Sequence, residues 1–103
     1  MTGLSPSLQE SIVSLITMKY SVDKIILFGS RARPDFNRAS DVDLAIFSKE
    51  LKPTDFLLMH DDLEDKVSTP LKLNLVHFES LQKTSLKEEI LKEGVCLYDS
   101  QKD

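Results

Sequence analysis

The chain has 103 residues, a length that supports one domain (1–103) with a modest core. Hydrophobic residues make up 41% and charged residues 29%, a globular balance that excludes a disordered or membrane-embedded class. The formal net charge of −4, with no basic stripe to offset it, argues against direct nucleic-acid binding, and no apolar run approaches the roughly 20 residues of a membrane span.

The opening MTGLSPSLQE lacks a basic stretch followed by an apolar one, so no signal peptide is expected and a cytoplasmic location is. One cysteine, Cys96, excludes an internal disulfide; within an apolar run it reads as core filler.

Ser5 to Tyr20 carries helix signals. Ser5 suits a cap, Pro6 the first turn, and Ser7 with Glu10 has capping-box spacing. Leu8, Ile12, Leu15 and Ile16 then line one face. Lys24 to Phe28 is a short, almost wholly apolar run, the pattern of a strand buried on both faces. Gly29-Ser30 ends it, Arg31-Ala32-Arg33 opens a helical turn, and Pro34 to Ser40 is a polar loop.

From Asp41 to Phe47 the residues alternate, placing Asp41 and Asp43 on one face of a strand, about 7 Å apart by strand rise. Pro53-Thr54-Asp55 begins a second helix with a buried stripe of Phe56, Met59, Leu63 and Val67. Asp61, Asp62, Glu64, Asp65 and Lys66 form its solvated side. Leu71 to Phe78 returns to strand, with Asn74 and Val76 facing away from Leu73 and Leu75. A last amphipathic helix is expected over Glu79 to Glu93, anchored by Leu81, Leu86 and Ile90 and stopped by Gly94. Val95 to Tyr98 reads as a short final strand. The fold class is α/β in the α+β sense, a short sheet covered by helices.

Two weak signals gain force from their order. A glycine and a hydroxyl at the start of a helical turn suit the phosphates of a nucleotide, which seek main-chain N–H donors. Arg31 and Arg33 add positive charge nearby. Two carboxylates sharing a strand face suit Mg²⁺, an ion that takes one or two carboxylates together with phosphate oxygens. Without a cation, two like charges this close are costly.

These residues carry a family resemblance. Gly29-Ser30-Arg31-Ala32-Arg33 followed by Ser40-Asp41-Val42-Asp43-Leu44-Ala45 resembles the signature of the DNA polymerase β-like nucleotidyltransferases. At this length the chain is similar to the minimal nucleotidyltransferase (MNT) group, and the ending Glu88 to Tyr98 extends the likeness. The resemblance implies the polymerase β-like nucleotidyltransferase fold, with a short mixed sheet. It also implies transfer of a nucleoside monophosphate from a Mg²⁺-bound triphosphate, with ATP as substrate, to an acceptor hydroxyl. Members of this size are commonly antitoxins paired with a HEPN-domain toxin, which they inactivate by adding AMP to a tyrosine. Carried over by position, Gly29 and Ser30 grip phosphates, with Arg31 and Arg33 beside them, and Asp41 and Asp43 hold metal. Self-association into a homo-oligomer stays open.

The family's third carboxylate falls here on Asn74, in Leu73-Asn74-Leu75-Val76. An amide keeps an oxygen ligand but has neither charge nor basicity. A positioned general base contributes about 10²–10⁴-fold, so transfer is expected to be slowed more than nucleotide binding. Asp35, Glu79 and His77 are the candidate substitutes, with His77 fitting a structural role better. The alternatives to a weakened enzyme are an antitoxin that neutralises its partner by binding alone and, ranked lower, a small-molecule nucleotidyltransferase.

Overall fold

A computed structural model describes residues 4–33 and 41–101. Its elements are α1 (Pro6–Lys19), β1 (Lys24–Phe28), a 3₁₀ turn (Gly29–Ala32), β2 (Val42–Phe47), α2 (Pro53–Lys66) and β3 (Leu73–His77). A second 3₁₀ turn (Phe78–Ser80), α3 (Thr84–Glu93) and β4 (Val95–Asp99) follow. The four strands form one mixed sheet in the order β3-β2-β1-β4. β1 is antiparallel to both its neighbours, whereas β2 and β3 are parallel, with α2 as the crossover that parallel strands require.

The expected mixed α/β architecture is therefore present, and β1 is the apolar central strand. Its two faces serve two cores. Ile25 and Leu27 pack with Ile12, Ile16, Leu44, Ile46, Met59 and Leu63 under α1 and α2. Ile26 and Phe28 pack with Ala45 and Ile90 under α3. Central position between antiparallel partners, rather than a parallel sheet, makes this strand apolar on both sides.

Local signals explain the helix starts. Ser5 caps α1 by accepting the Leu8 N–H at 3.1 Å, so Ser5, and not the Ser7–Glu10 pair, supplies the cap. At the start of α2 the Asp55 carboxylate accepts the Lys52 N–H at 2.8 Å. The last helix differs from expectation: Phe78 to Ser80 form a 3₁₀ turn, and α3 begins only at Thr84. Phe78 stacks on Phe47 with ring centroids 4.2 Å apart, which turns the chain off the strand before a helix can start.

Cys96 also departs from its expected place: it is exposed, because β4 is an edge strand whose outward residue at that position is left uncovered. Gly94 stops α3 as expected. A Cβ there would run into the Ile26 side chain and the Ile90 carbonyl, so the helix turns into β4 directly over the core.

One acidic residue of α2 is not simply solvated. Asp62 accepts a hydrogen bond from the Tyr20 hydroxyl at 2.9 Å and faces the Lys19 ammonium at 3.4 Å, tying the end of α1 to α2. The hydrogen bond from Tyr20, aided by Lys19, holds the Asp62 carboxyl below its usual range. Folding thus favours the ionised form. Its contribution to stability is complete above the unfolded carboxylate value and is lost as pH falls through the lower folded one.

Two stability measurements check this packing. Gly94→Ala is expected to destabilise the fold by about 1–3 kcal/mol in chemical denaturation, the usual cost of overpacking. Tyr20→Phe should lower the thermal midpoint at neutral pH, and the difference from wild type should close as acid protonates Asp62.

Candidate active site

Phe28 ends β1 with extended backbone, and Gly29 follows with φ of +78°, a conformation that glycine adopts at no steric cost. The Arg33 N–H then donates to the Ser30 carbonyl at 3.2 Å, closing the turn. A helical turn after Gly29 was expected; what forms is a single four-residue 3₁₀ turn. Attraction of an anion therefore rests on the turn's own N–H groups and the Ser30 hydroxyl, and no helix macrodipole is available to assist.

Strand register sets what faces the turn. Phe28 pairs with Asp43 across β1 and β2, and Asp43 pairs with Asn74 across β2 and β3. A Cβ added to Gly29 would lie 2.5 Å from Asp43 Oδ2. Gly29 is thus required twice, for its backbone angle and because the carboxylate occupies the space of a side chain. Asp43 lies half-buried on the α3 side of β2, in the row that continues to Ala45 and Phe47; Asp41 is exposed just ahead of the strand.

Asn74 joins the two. Its Nδ2 donates to Asp43 Oδ1 at 3.0 Å and to Asp41 Oδ2 at 3.2 Å. The expected shared face for Asp41 and Asp43 is therefore present, with the Asn74 amide spanning both carboxylates. The sequence marks Asn74 as an oxygen ligand without charge. In the fold its amide hydrogens are the groups engaged, an orientation that no sequence signal announces. Among the described residues, no group of three or more His, Cys, Asp or Glu is placed to hold a metal. The remaining pair still suits one hard divalent ion, because two carboxylates and an amide oxygen on one face are the ligand types that Mg²⁺ takes beside phosphate oxygens.

The arginines separate. Arg31 is 4% exposed, so it is a built-in part of the turn itself rather than a solvated loop residue. Arg33 is exposed and caps the turn. Asp35 and the loop 34–40 lie outside the described residues.

The other two candidate substitutes for a third carboxylate are elsewhere. His77 sits three residues beyond Asn74, about 10 Å along β3 by strand rise and on the opposite face, its ring 4.7 Å from that of Phe56. Its Nε2 is 2.6 Å from the Ser48 carbonyl and its Nδ1 2.7 Å from the Ser80 hydroxyl. Glu79 accepts the Ser48 N–H at 3.1 Å and lies 3.2 Å from His77 Nε2. Both clasp the far end of the sheet. His77 is the structural histidine its setting suggested, and Glu79 does not complete the site.

Comparison with known proteins bears on this arrangement. A family model described as polymerase beta, nucleotidyltransferase, matches residues 10–103. A relative from Methanocaldococcus jannaschii, named for protein adenylyltransferase activity, is 50% identical over 34 residues. That match spans 33% of this chain and 34% of the relative, about a third of its length.

Solved structures share the fold over most of the chain. A toxin–antitoxin structure with AMP-PNP superposes with a TM-score of 0.75 at 23% identity, covering 90% of this chain and 74% of that one. The MntA–HepT toxin–antitoxin structure gives 0.72 at 20% identity over 94% and 74%. A Sulfolobus solfataricus structure described as a nucleotidyltransferase gives 0.60 at 21% identity over 93% and 81%.

Gly29→Ala tests the close approach of turn and carboxylate. A side chain at this φ costs on the order of 1–3 kcal/mol, and displacement of Asp43 adds to it. The expected outcome is a lower unfolding free energy by at least about 1 kcal/mol, together with disturbed backbone amide resonances at Asp43.

Proposed function

The chain belongs to the polymerase beta nucleotidyltransferase family, and from that premise we propose that it transfers AMP from ATP, with Mg²⁺, to a hydroxyl of a HEPN-domain toxin, acting as the antitoxin. The observation that carries this reading is the register row Phe28, Asp43, Asn74, which brings the Gly29 turn against a carboxylate pair. The adenylyltransferase name of the Methanocaldococcus relative and the toxin–antitoxin pairing of the structural neighbours support the choice of chemistry and partner.

In this reading the N–H groups of the Gly29–Ala32 turn and the Ser30 hydroxyl receive the outer phosphates. Arg31 and Arg33 supply positive charge beside that turn. Asp41 and Asp43 would hold Mg²⁺, which neutralises phosphate charge when bound. The acceptor hydroxyl oxygen attacks the α-phosphorus, the bond to the β-phosphate oxygen breaks, and pyrophosphate leaves. The hydroxyl proton has no strong base to receive it at Asn74, since an amide is not basic, and it departs to solvent. Losing a positioned base slows such a step by about 10²–10⁴-fold.

A second reading has an observation of its own. Asn74 already satisfies both carboxylates, as a site retained for binding rather than turnover would have it, and such a protein would neutralise its toxin by complex formation.

Incubation with labelled ATP, Mg²⁺ and the product of the neighbouring gene separates the two. Label is expected on the partner and should be lost with the Asp41→Ala, Asp43→Ala double variant. No label under conditions where ATP binding is demonstrated would overturn the transfer. Neutralisation that survives the double variant would establish the binding reading.

A further inference from the structure

We infer that the Asn74 amide acts as a built-in hydrogen-bond donor that competes with free Mg²⁺, so that the metal enters this site together with the nucleotide rather than ahead of it. The inference deepens the proposed function and rests on its placing of the nucleotide at Gly29–Ser30.

The geometry points to competition because of which end of the amide faces the acids. Both bonds run from Nδ2, at 3.0 Å to Asp43 and 3.2 Å to Asp41. Turned the other way, Oδ1 would face two carboxylate oxygens and be repelled. An amide hydrogen and a metal cation cannot occupy the same space between the same two oxygens. A cation bridging those two oxygens, Asp43 Oδ1 and Asp41 Oδ2, must therefore displace both N–H donors, and the amide must rotate about its terminal bond before its own Oδ1 can serve as a ligand. Hydrogen bonds to charged acceptors are among the stronger neutral-donor contacts, so this displacement weakens binding of the bare ion.

A triphosphate changes the balance. Its oxygens supply most of the shell that Mg²⁺ prefers, and the turn at Gly29, against which Asp43 Oδ2 lies, brings those oxygens to the carboxylates. Metal and phosphates arriving together can offset the cost of turning Asn74. A carboxylate at the same position would have the opposite character, repelling its neighbours until an ion bound.

Removing the amide gives a test of sign. Were Asn74 simply a metal ligand, Asn74→Ala would bind Mg²⁺ less well. As a competitor, its loss should let Mg²⁺ alone bind about tenfold tighter than in wild type, the worth of roughly one hydrogen bond to a charged group. Calorimetric titration of the nucleotide-free proteins reads this directly. In parallel, the Asn74 side-chain amide resonances, assigned by their absence in the variant, should stay put with Mg²⁺ alone and shift with Mg²⁺ plus a non-hydrolysable ATP analogue.

Unchanged or weaker Mg²⁺ binding in the variant overturns the inference, as does a wild-type amide that moves equally with Mg²⁺ alone. In either case, shifts of the Gly29 and Ser30 backbone amides with the metal–nucleotide pair would leave the nucleotide site standing. If those amides do not respond to the metal–nucleotide pair, the nucleotide reading fails and the inference with it. Asn74→Ser, which keeps a single donor, provides an intermediate case should the alanine variant fold poorly.

Discussion

Two carboxylates placed on one strand face repel each other, and the contact that makes this tolerable is the Asn74 amide, whose Nδ2 donates to Asp41 and Asp43 together. The candidate site depends on that pairing. It holds Asp43 against the Gly29 turn, where a side chain of any other residue would collide. It also sets what the site can do, because the group satisfying the acids is neutral and not basic.

The sheet delivers these groups to one place through its order. β2 lies between β1 and β3, so the end of β1 and the start of β3 both fall beside the start of β2, and register places Phe28, Asp43 and Asn74 in a row. The two faces of the sheet are unequally covered. α1 and α2 bury one against a large apolar cluster, whereas α3 covers the other over Ile26, Phe28 and Ala45. Asp43 lies on this second face, half-buried and next to the exposed Asp41. At the opposite end, His77, Ser48, Ser80 and Glu79 fasten the connection after β3, so those polar side chains serve the fold and not the acid pair.

Much of this was legible in the sequence because it follows from periodicity. The apolar run Lys24–Phe28, the alternation from Asp41 to Phe47 and the stripe Met59–Leu63–Val67 each match a buried strand or helix face. Glycine before a hydroxyl, and two aspartates one residue apart, were legible as chemistry because few other contexts place them in that order. Features that depend on distant partners were not. Arg31 is buried although nothing in its neighbours requires it. Cys96 is exposed because β4 falls at a sheet edge, which local sequence does not encode. The delayed start of α3 follows from the stacking of Phe78 on Phe47, residues 31 positions apart. Asn74 could be assigned to the third position by resemblance, but the direction of its amide is a property of the assembled sheet.

The fold and family make this a nucleotidyltransferase scaffold; in the proposed reading, the residue at the third position sets how fast it turns over. The central claim, that Asn74 limits transfer more than nucleotide binding, is tested most directly by comparing wild type with Asn74→Asp in single-turnover transfer and in equilibrium binding of the Mg²⁺–nucleotide pair. The account predicts a rate increase of about 10²–10⁴-fold with nucleotide affinity changed by less than about tenfold. Equal transfer rates, or nucleotide binding that emerges only in the aspartate variant, would contradict it.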